Sequence, residues 1–284
     1  MIPPAFDYVA PSSVDEALSA LSSGGEDAKV LAGGQSLIPL LRLRFAGPSV
    51  LVDLGRVDEL RGIRDDGDAL VIGAMTTHAT VLHSPLVAEH APLLAQATGT
   101  VADRQVRHRG TFGGSLAHAD PAGDLPAVAL VLDASMEVAG PGGRRTVSAA
   151  DFFVDYLESA VGPDEVLVSV RIPKSPGWGV HYEKFQRVVQ GWALVGAAAM
   201  IRRDNGSIAE ARVALTNMGP TPVRATAVES ALVGTSTSDA AALASATAAA
   251  AEGTRPSDDM SASADYRRHM AAVVTRRAVQ AAAA

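Results

Sequence analysis

Two glycine pairs, about eighty residues apart, are the features that most constrain how this chain can fold. Residues 32–37 read Ala-Gly-Gly-Gln-Ser-Leu, and residues 111–116 read Thr-Phe-Gly-Gly-Ser-Leu. Glycine has no Cβ, so it tolerates positive φ and lets a backbone come close to a ligand. Successive free N–H groups on such a turn form a concave anion site, called a nest. The pairs predict two loops closing on one phosphate-bearing ligand, and the alternative of two plain tight turns stays open here.

The composition is that of a globular protein that does not bind nucleic acid. Of the 284 residues, 48% are hydrophobic and 19% are charged, and the formal net charge is −7. A negative balance argues against a nucleic-acid footprint. No apolar run approaches the roughly 18 residues needed to span a bilayer. The first residues also lack a basic stretch followed by an apolar core, so we expect a cytoplasmic protein without a membrane span.

Several kinds of catalytic and metal site are absent from the sequence. The chain has no cysteine, which excludes disulfides, thiolate zinc sites and an iron–sulfur cluster held by these residues. The Rossmann glycine fingerprint, the Walker A motif and the Gly-x-Ser-x-Gly elbow are all missing. His118 and Asp120 could begin a metal site, but no second cluster supports one. We therefore predict neither a catalytic residue nor a metal ligand on this chain.

The pattern along the first part of the chain alternates strands and helices. Ser13 and Glu16 form a capping box that opens a helix through Leu21, and strand-like residues 28–31 lead directly into the first glycine pair. Residues 76–82 and 85–98 are predicted to be helical, and residues 125–132 to form a buried helix. Residues 104–125 show no periodicity, so we predict a long functional loop there.

Asp124 lies at the end of that aperiodic stretch. Pro126 follows in the first turn of the predicted helix, which favours a capping role for the carboxylate. Acceptance of a ligand hydroxyl by Asp124 stays open as the alternative.

The second part of the chain is predicted to be a smaller sheet with helices. Residues 173–177 are the best linker, and residues 180–188 and 193–201 read as strands. Asn205-Gly206 is a strong hairpin turn into the strand at 208–215. Residues 239–252 and 264–281 are predicted to be helical. We therefore place a mixed domain over 1–176 and a second domain over 177–284.

Longer motifs around both glycine pairs resemble a known family. Residues 32–39 and the run 109–126 are similar to the two FAD loops of the medium (flavoprotein) subunit of molybdenum hydroxylases, the family of carbon monoxide dehydrogenase and xanthine dehydrogenase. Residues 164–167, 172–173 and 182–185 match as well, so that the resemblance covers essentially the whole chain. It implies an α+β fold of the p-cresol methylhydroxylase (PCMH) type, with FAD-binding subdomains over about 1–55 and 56–176. A C-terminal domain over 177–284, with a three-stranded sheet and helices, would follow.

The resemblance also implies a set of FAD-binding residues. The pyrophosphate would lie against the two loops, Asp124 would accept a cofactor hydroxyl, and Lys184 would lie near the flavin ring. The full set is Ala32, Gly33, Gly34, Gln35, Ser36, Leu37, Val101, Thr111, Gly113, Gly114, Ser115, Asp124, Leu167, Lys184 and Trp192.

By this resemblance the chain is the electron-transfer subunit of a heterotrimeric oxidoreductase. A large subunit would carry the molybdopterin cofactor and oxidise the substrate, and a small subunit would carry two [2Fe–2S] clusters. Electrons would reach FAD on this chain and leave to an external acceptor. The complex would be a dimer of heterotrimers. The sequence leaves open both the acceptor and the substrate, which could be carbon monoxide, an N-heteroaromatic compound, a purine or an aldehyde. After Lys184 the sequence is less basic than in the carbon monoxide enzymes, which argues against that substrate.

Two other functions stay open from the sequence. One is a free-standing PCMH-type flavin oxidoreductase that acts on its own substrate. The other is a protein that binds a sugar nucleotide or a phosphate compound without redox activity.

Overall fold

The computed structural model describes residues 2–284. Its strands, in chain order, are β1 (Asp7–Val9), β2 (Ala28–Leu31), β3 (Val50–Asp53), β4 (Ile63–Asp66), β5 (Ala69–Gly73), β6 (Ser135–Gly140), β7 (Gly143–Ser148), β8 (Phe153–Asp155), β9 (Glu158–Ser159), β10 (Val166–Pro173), β11 (Trp178–Phe185), β12 (Val195–Asp204), β13 (Ser207–Thr216) and β14 (Val223–Arg224). Its α-helices are α1 (Val14–Gly24), α2 (Leu37–Leu43), α3 (His78–Leu82), α4 (Pro85–His90), α5 (Pro92–Thr100), α6 (Arg104–Arg109), α7 (Phe112–His118), α8 (Asp124–Val131), α9 (Ala149–Phe152), α10 (Thr226–Leu232), α11 (Ala240–Thr247) and α12 (Ala264–Ala283).

A three-stranded parallel sheet with the order β1-β3-β2 comes first. Helix α1 connects β1 to β2 and begins at the predicted cap, where Ser13 Oγ accepts the N–H of Glu16 at 3.2 Å. The Glu16 carboxylate reaches back to the N–H of Ser12, at 2.7 Å. Strand β2 ends immediately before the first glycine pair. The predicted β-α-β-like start is therefore confirmed.

A five-stranded antiparallel sheet with the order β4-β5-β10-β6-β7 forms the centre of the molecule. One face, which includes Leu70, Ile72 and Val170, packs on helices α5 and α8. Part of the other face, including Val166 and Val168, packs towards α1 and the first sheet. All eight residues of α8 are buried, because helices and sheets surround it, and the predicted buried helix is confirmed.

The third sheet has the order β11-β12-β13-β14 and contains the three long strands that the sequence predicts, with a two-residue strand added at the edge. Asn205 and Gly206 have φ values of 48° and 80° and form the predicted hairpin turn. Small residues of β12 let both faces of this sheet pack closely. Ala198 faces the cluster around α8, whereas Ala197 faces the cluster around α12. The third sheet therefore lies between α8 and α12.

Two parts of the chain differ from their predicted secondary structure. The helix expected over 85–98 is two helices, α4 and α5, because Pro92 begins a new one. The stretch 104–125, expected to be irregular, contains α6 and α7. Asp103 and Thr111 cap these helices, which are too short to show helical periodicity in the sequence.

The three larger sheets occupy residues 7–53, 63–173 and 178–224, and β8 and β9 form a two-stranded sheet within the second range. The predicted boundaries near residues 55 and 176 fall in the connections between them, and the division into domains stays a prediction. Within residues 2–284, no helix has the length and apolar character needed to cross a membrane.

Candidate functional site

The first glycine pair forms an open turn between β2 and α2. Gly34 has a φ of 75°, and its carbonyl accepts the N–H of Ile38 at 3.0 Å. Among residues 2–284, the N–H groups of residues 33–37 find no protein acceptor, and no side chain caps α2. Successive free N–H groups beside a positive-φ glycine are suited to phosphate oxygens. The first loop therefore has the free N–H groups that the sequence predicts, and their binding of a phosphate stays a prediction.

The second glycine pair is a capped helix start and is not a second nest. The N–H of Gly113 donates to the carbonyl of Ala74 at 2.9 Å, and the N–H of Gly114 donates to Thr111 Oγ1 at 3.1 Å. The N–H of Ser115 donates to the Thr111 carbonyl at 3.1 Å. The prediction of free N–H groups in this loop is wrong, because tertiary contacts and the helix cap already use them.

The glycines of both loops permit close backbone packing. A Cβ added to Gly33 would lie 2.7 Å from the Cα of Gly110 and would also clash with the carbonyl oxygen of Arg109. A Cβ added to Gly114 would lie 2.6 Å from Thr111 Oγ1 and 3.5 Å from the Cβ of Ala32. The two loops are therefore in direct contact, with space for a side chain on neither glycine. Their closure on one ligand stays a prediction.

A cavity of about 90 Å³ lies beside this contact. Of the predicted residues, Ala32, Gly113, Gly114 and Leu167 line it. Its lining is mostly apolar, and residues 33–37, with their free N–H groups, follow Ala32 directly in the chain. These N–H groups, rather than the cavity lining, fit the phosphate-bearing part of a nucleotide cofactor, whose oxygens need N–H donors.

Asp124 and Lys184 form a buried ion pair. Lys184 Nζ lies 2.7 Å from Asp124 Oδ2, and each side chain is 4% exposed. Lys184 also donates to the carbonyl of Thr100 at 3.0 Å. The hydroxyl of Tyr182 donates to the other carboxylate oxygen, Asp124 Oδ1, at 2.7 Å. Asp124 is the first residue of α8 and Gly123 is its N-cap, so the predicted capping role of Asp124 is wrong.

Burial controls the titration of this cluster. It raises the pKa of Asp124, and the Lys184 ammonium and the Tyr182 hydroxyl oppose that shift because both stabilise the carboxylate. Burial and the neighbouring Asp124 raise the pKa of Tyr182 well above its usual value. Tyr182 therefore stays a neutral donor at physiological pH.

Tyr182 is not among the FAD-binding residues predicted from the sequence. Tyr182 and Lys184 are two positions apart on a predicted strand, so both side chains point to one face. That spacing is the signal that could have found Tyr182.

The other predicted residues lie outside the cavity. Val101 follows α5, and its carbonyl accepts a hydrogen bond from Arg107 at 2.7 Å. Trp192 lies in the connection between β11 and β12 and is 60% exposed. Gln35 and Ser36 belong to the first loop, where Gln35 Nε2 donates to the carbonyl of Gly33 at 3.2 Å. Their contacts with a cofactor stay a prediction.

His78 is a buried histidine beneath the second loop. Its backbone N–H donates to the carbonyl of Gly110 at 2.9 Å, and its Nδ1 has no partner within residues 2–284. Burial and the nearby Arg107 lower the pKa of His78 to about 4. The imidazole is therefore neutral in the folded protein at neutral pH.

Replacement of His78 is expected to reduce the acid sensitivity of the fold. The unfolded chain takes up a proton on His78 below about pH 6.5, whereas the folded chain does so only near pH 4. Stability is thus lost as the pH falls through this window, by about 3 kcal/mol for this residue. The free energy of unfolding, measured with urea, falls between pH 7 and pH 4. This fall should be about 3 kcal/mol smaller in His78→Phe than in the unaltered chain. The exposed His83, changed to Phe, is the control, and an unchanged pH dependence in His78→Phe would contradict the assignment.

The chain matches two family descriptions that together span nearly all of it. Residues 4–175 match "FAD binding domain in molybdopterin dehydrogenase", and residues 180–282 match "CO dehydrogenase flavoprotein C-terminal domain". It is 44% identical over 283 residues to the carbon monoxide dehydrogenase medium chain of Hydrogenophaga pseudoflava, covering 99% of this chain and 98% of that one.

Solved structures show the same similarity. A carbon monoxide dehydrogenase from Hydrogenophaga pseudoflava that lacks the Mo-pyranopterin moiety of its cofactor matches with a TM-score of 0.96 and 45% identity, over 99% of this chain and 98% of that one. Quinoline 2-oxidoreductase from Pseudomonas putida 86 matches with a TM-score of 0.96 and 39% identity, over 100% and 98% of the two chains. The predicted α+β, PCMH-type fold is confirmed.

Proposed function

Because this chain belongs to the family of FAD-binding medium subunits of molybdopterin dehydrogenases, we propose that it transfers electrons within a heterotrimeric molybdenum hydroxylase. In this proposal a large subunit hydroxylates the substrate at molybdenum. Electrons pass through two [2Fe–2S] clusters of a small subunit to this chain and leave to an external acceptor. The assembly is a dimer of heterotrimers in the cytoplasm.

The observation that carries the proposal is the run of unpartnered N–H groups at residues 33–37, packed against the second loop. We assign the FAD pyrophosphate to these groups, with Ala32 beside them. Thr111 and Ser115 fix the second loop, and Gly113 and Gly114 keep it free of side-chain volume at the cavity. Bound FAD supplies the redox chemistry, since flavins exchange electrons singly and in pairs.

The Asp124–Lys184 pair is assigned to the flavin-bearing part of the cofactor. An ammonium group has three N–H donors, and Lys184 uses two of them, on Asp124 and on the carbonyl of Thr100. The third remains for a cofactor acceptor, and the positive charge favours electron-rich flavin. Asp124 would accept a hydroxyl, Val101 and Leu167 would pack on the cofactor, and Trp192 would cover the ring.

Two properties of the chain support partner subunits. With no cysteine, the chain cannot hold an iron–sulfur cluster through thiolates, so a donor cluster has to come from another chain. The relatives carry names that refer to different substrates, namely carbon monoxide and quinoline, at 45% and 39% identity. Such similarity across substrates is expected if the substrate is selected on the large subunit.

The test is to purify the affinity-tagged full chain from its own cells and to measure its cofactors. We expect FAD, iron and molybdenum to be recovered together in stoichiometric amounts, with the flavin reduced when the substrate of the complex is added. Recovery of FAD alone, without iron or molybdenum, would favour the free-standing flavin oxidoreductase instead.

A further inference from the structure

Tyr182 occupies a central place in the buried cluster that the proposed function does not use. Tyr182 and Lys184 project from the same face of β11, and each binds one oxygen of the Asp124 carboxylate at 2.7 Å. The Tyr182 hydroxyl also lies 3.4 Å from Thr216 Oγ1 on β13. The backbone N–H of Tyr182 donates to Gln96 Oε1 at 3.3 Å. The hydroxyl is thus held by Asp124 and by Thr216 of β13, and the backbone of Tyr182 is held by Gln96 of α5.

This arrangement divides the carboxylate between two donors. Because Tyr182 fills Asp124 Oδ1, Lys184 meets the carboxylate through Oδ2 and keeps a second N–H for the carbonyl of Thr100. Its third N–H has no protein partner among residues 2–284, although the Lys184 side chain is only 4% exposed. A buried donor without an acceptor is costly, so this N–H is suited to a ligand acceptor.

We propose that Tyr182 is a positioning residue for the flavin, which acts through Asp124 to keep the charge and the third N–H of Lys184 available to the cofactor. This proposal rests on the assignment of FAD to the site. Without the Tyr182 hydroxyl, the buried acceptor Asp124 Oδ1 loses its protein donor. Lys184 is the adjacent cation, and a second N–H of its ammonium turns to that oxygen. The carboxylate then neutralises more of the positive charge that favours reduced flavin.

The experiment compares flavin reduction potentials in the FAD-loaded full chain. For Tyr182→Phe, we expect FAD to stay bound and the preference for reduced over oxidised flavin to fall about tenfold, a decrease of about 30 mV for a two-electron couple. Tyr266→Phe is the matched control, because Tyr266 lies partly exposed on α12, and it should leave the potential unchanged. In an Asp124→Asn background, Tyr182→Phe should cause no further shift, since it acts through the carboxylate.

A purely structural role for Tyr182 gives a different result. Tyr182→Phe would then lower the free energy of unfolding and leave the reduction potential unchanged, which would overturn the proposal. Independent, additive effects of Tyr182→Phe and Asp124→Asn on the potential would also overturn it. Asp124→Asn alone covers the case in which Tyr182→Phe does not fold. It should raise the potential, because Lys184 loses its counter-charge, and an unchanged potential also overturns the proposal. If the unaltered chain takes up no FAD, the proposed function itself fails.

Discussion

Gly114→Val is expected to remove FAD from the chain while the third sheet and its helices stay folded. A Cβ at this position would lie 2.6 Å from Thr111 Oγ1 and 3.5 Å from the Cβ of Ala32. Valine would therefore displace the cap of α7 and fill the gap between the two loops. Overpacking of this kind costs about 1–3 kcal/mol, which is roughly a 5-fold to 160-fold loss of affinity when it falls on a binding site.

The measurement is the amount of flavin retained by the purified full chain, read from its visible absorbance and followed by an FAD titration. Gly142→Val is the matched control, because a Cβ at Gly142 meets nothing within 4 Å. Far-ultraviolet circular dichroism checks that both variants are folded. Full flavin retention in Gly114→Val would contradict the assignment of the second loop to the cofactor site.

Lys184→Met is expected to destabilise the protein by about 3–5 kcal/mol, as is typical when one partner of a buried ion pair is removed. The side chains of Lys184 and Asp124 are each 4% exposed, so water cannot replace the lost ammonium. The protein loses free energy of unfolding because the Asp124 carboxylate is left without its counter-charge. It then has to take up a proton or remain charged in the interior.

Urea unfolding at pH 7 measures this loss, with Lys174→Met as the matched control. Lys174 pairs with Asp65 at 2.8 Å, but Asp65 is 44% exposed, so we expect a loss of less than about 1 kcal/mol there. Adding Asp124→Asn to Lys184→Met should restore part of the stability, because it removes the stranded charge. Equal losses from Lys184→Met and Lys174→Met would show that burial does not strengthen the first pair.

The sequence predicts local features of this fold well because short-range chemistry determines them. The Ser13 cap, the Asn205-Gly206 turn and the buried helix α8 each follow from a few neighbouring residues. The direct contact between the two loops was not predicted: it brings residues 109–110 against Gly33, whereas the sequence predicted only that both loops close on one ligand.

The sequence could not show which backbone groups are free. The N–H of Gly113 is used by Ala74, 39 residues earlier in the chain, so the second pair fails as a nest although its local sequence resembles the first. The two loops thus have different roles. The first loop presents donors, whereas the second supports it and leaves space.

Asp124 was also misjudged for a long-range reason. Its neighbours Leu125 and Pro126 suggest a helix cap. The carboxylate instead accepts hydrogen bonds from Tyr182 and Lys184, about sixty residues away on β11. Such a pairing depends on how the third sheet packs against α8, which no local pattern encodes.

The most direct test is an equilibrium titration of the full chain with FAD and with riboflavin, which has the flavin ring but no pyrophosphate. If the N–H groups of residues 33–37 hold the pyrophosphate, one FAD binds per chain. Riboflavin then binds at least about a hundredfold more weakly, since hydrogen bonds to charged groups contribute about 1.5–3 kcal/mol each. Equal affinity for the two flavins, or no binding of FAD, would contradict the account.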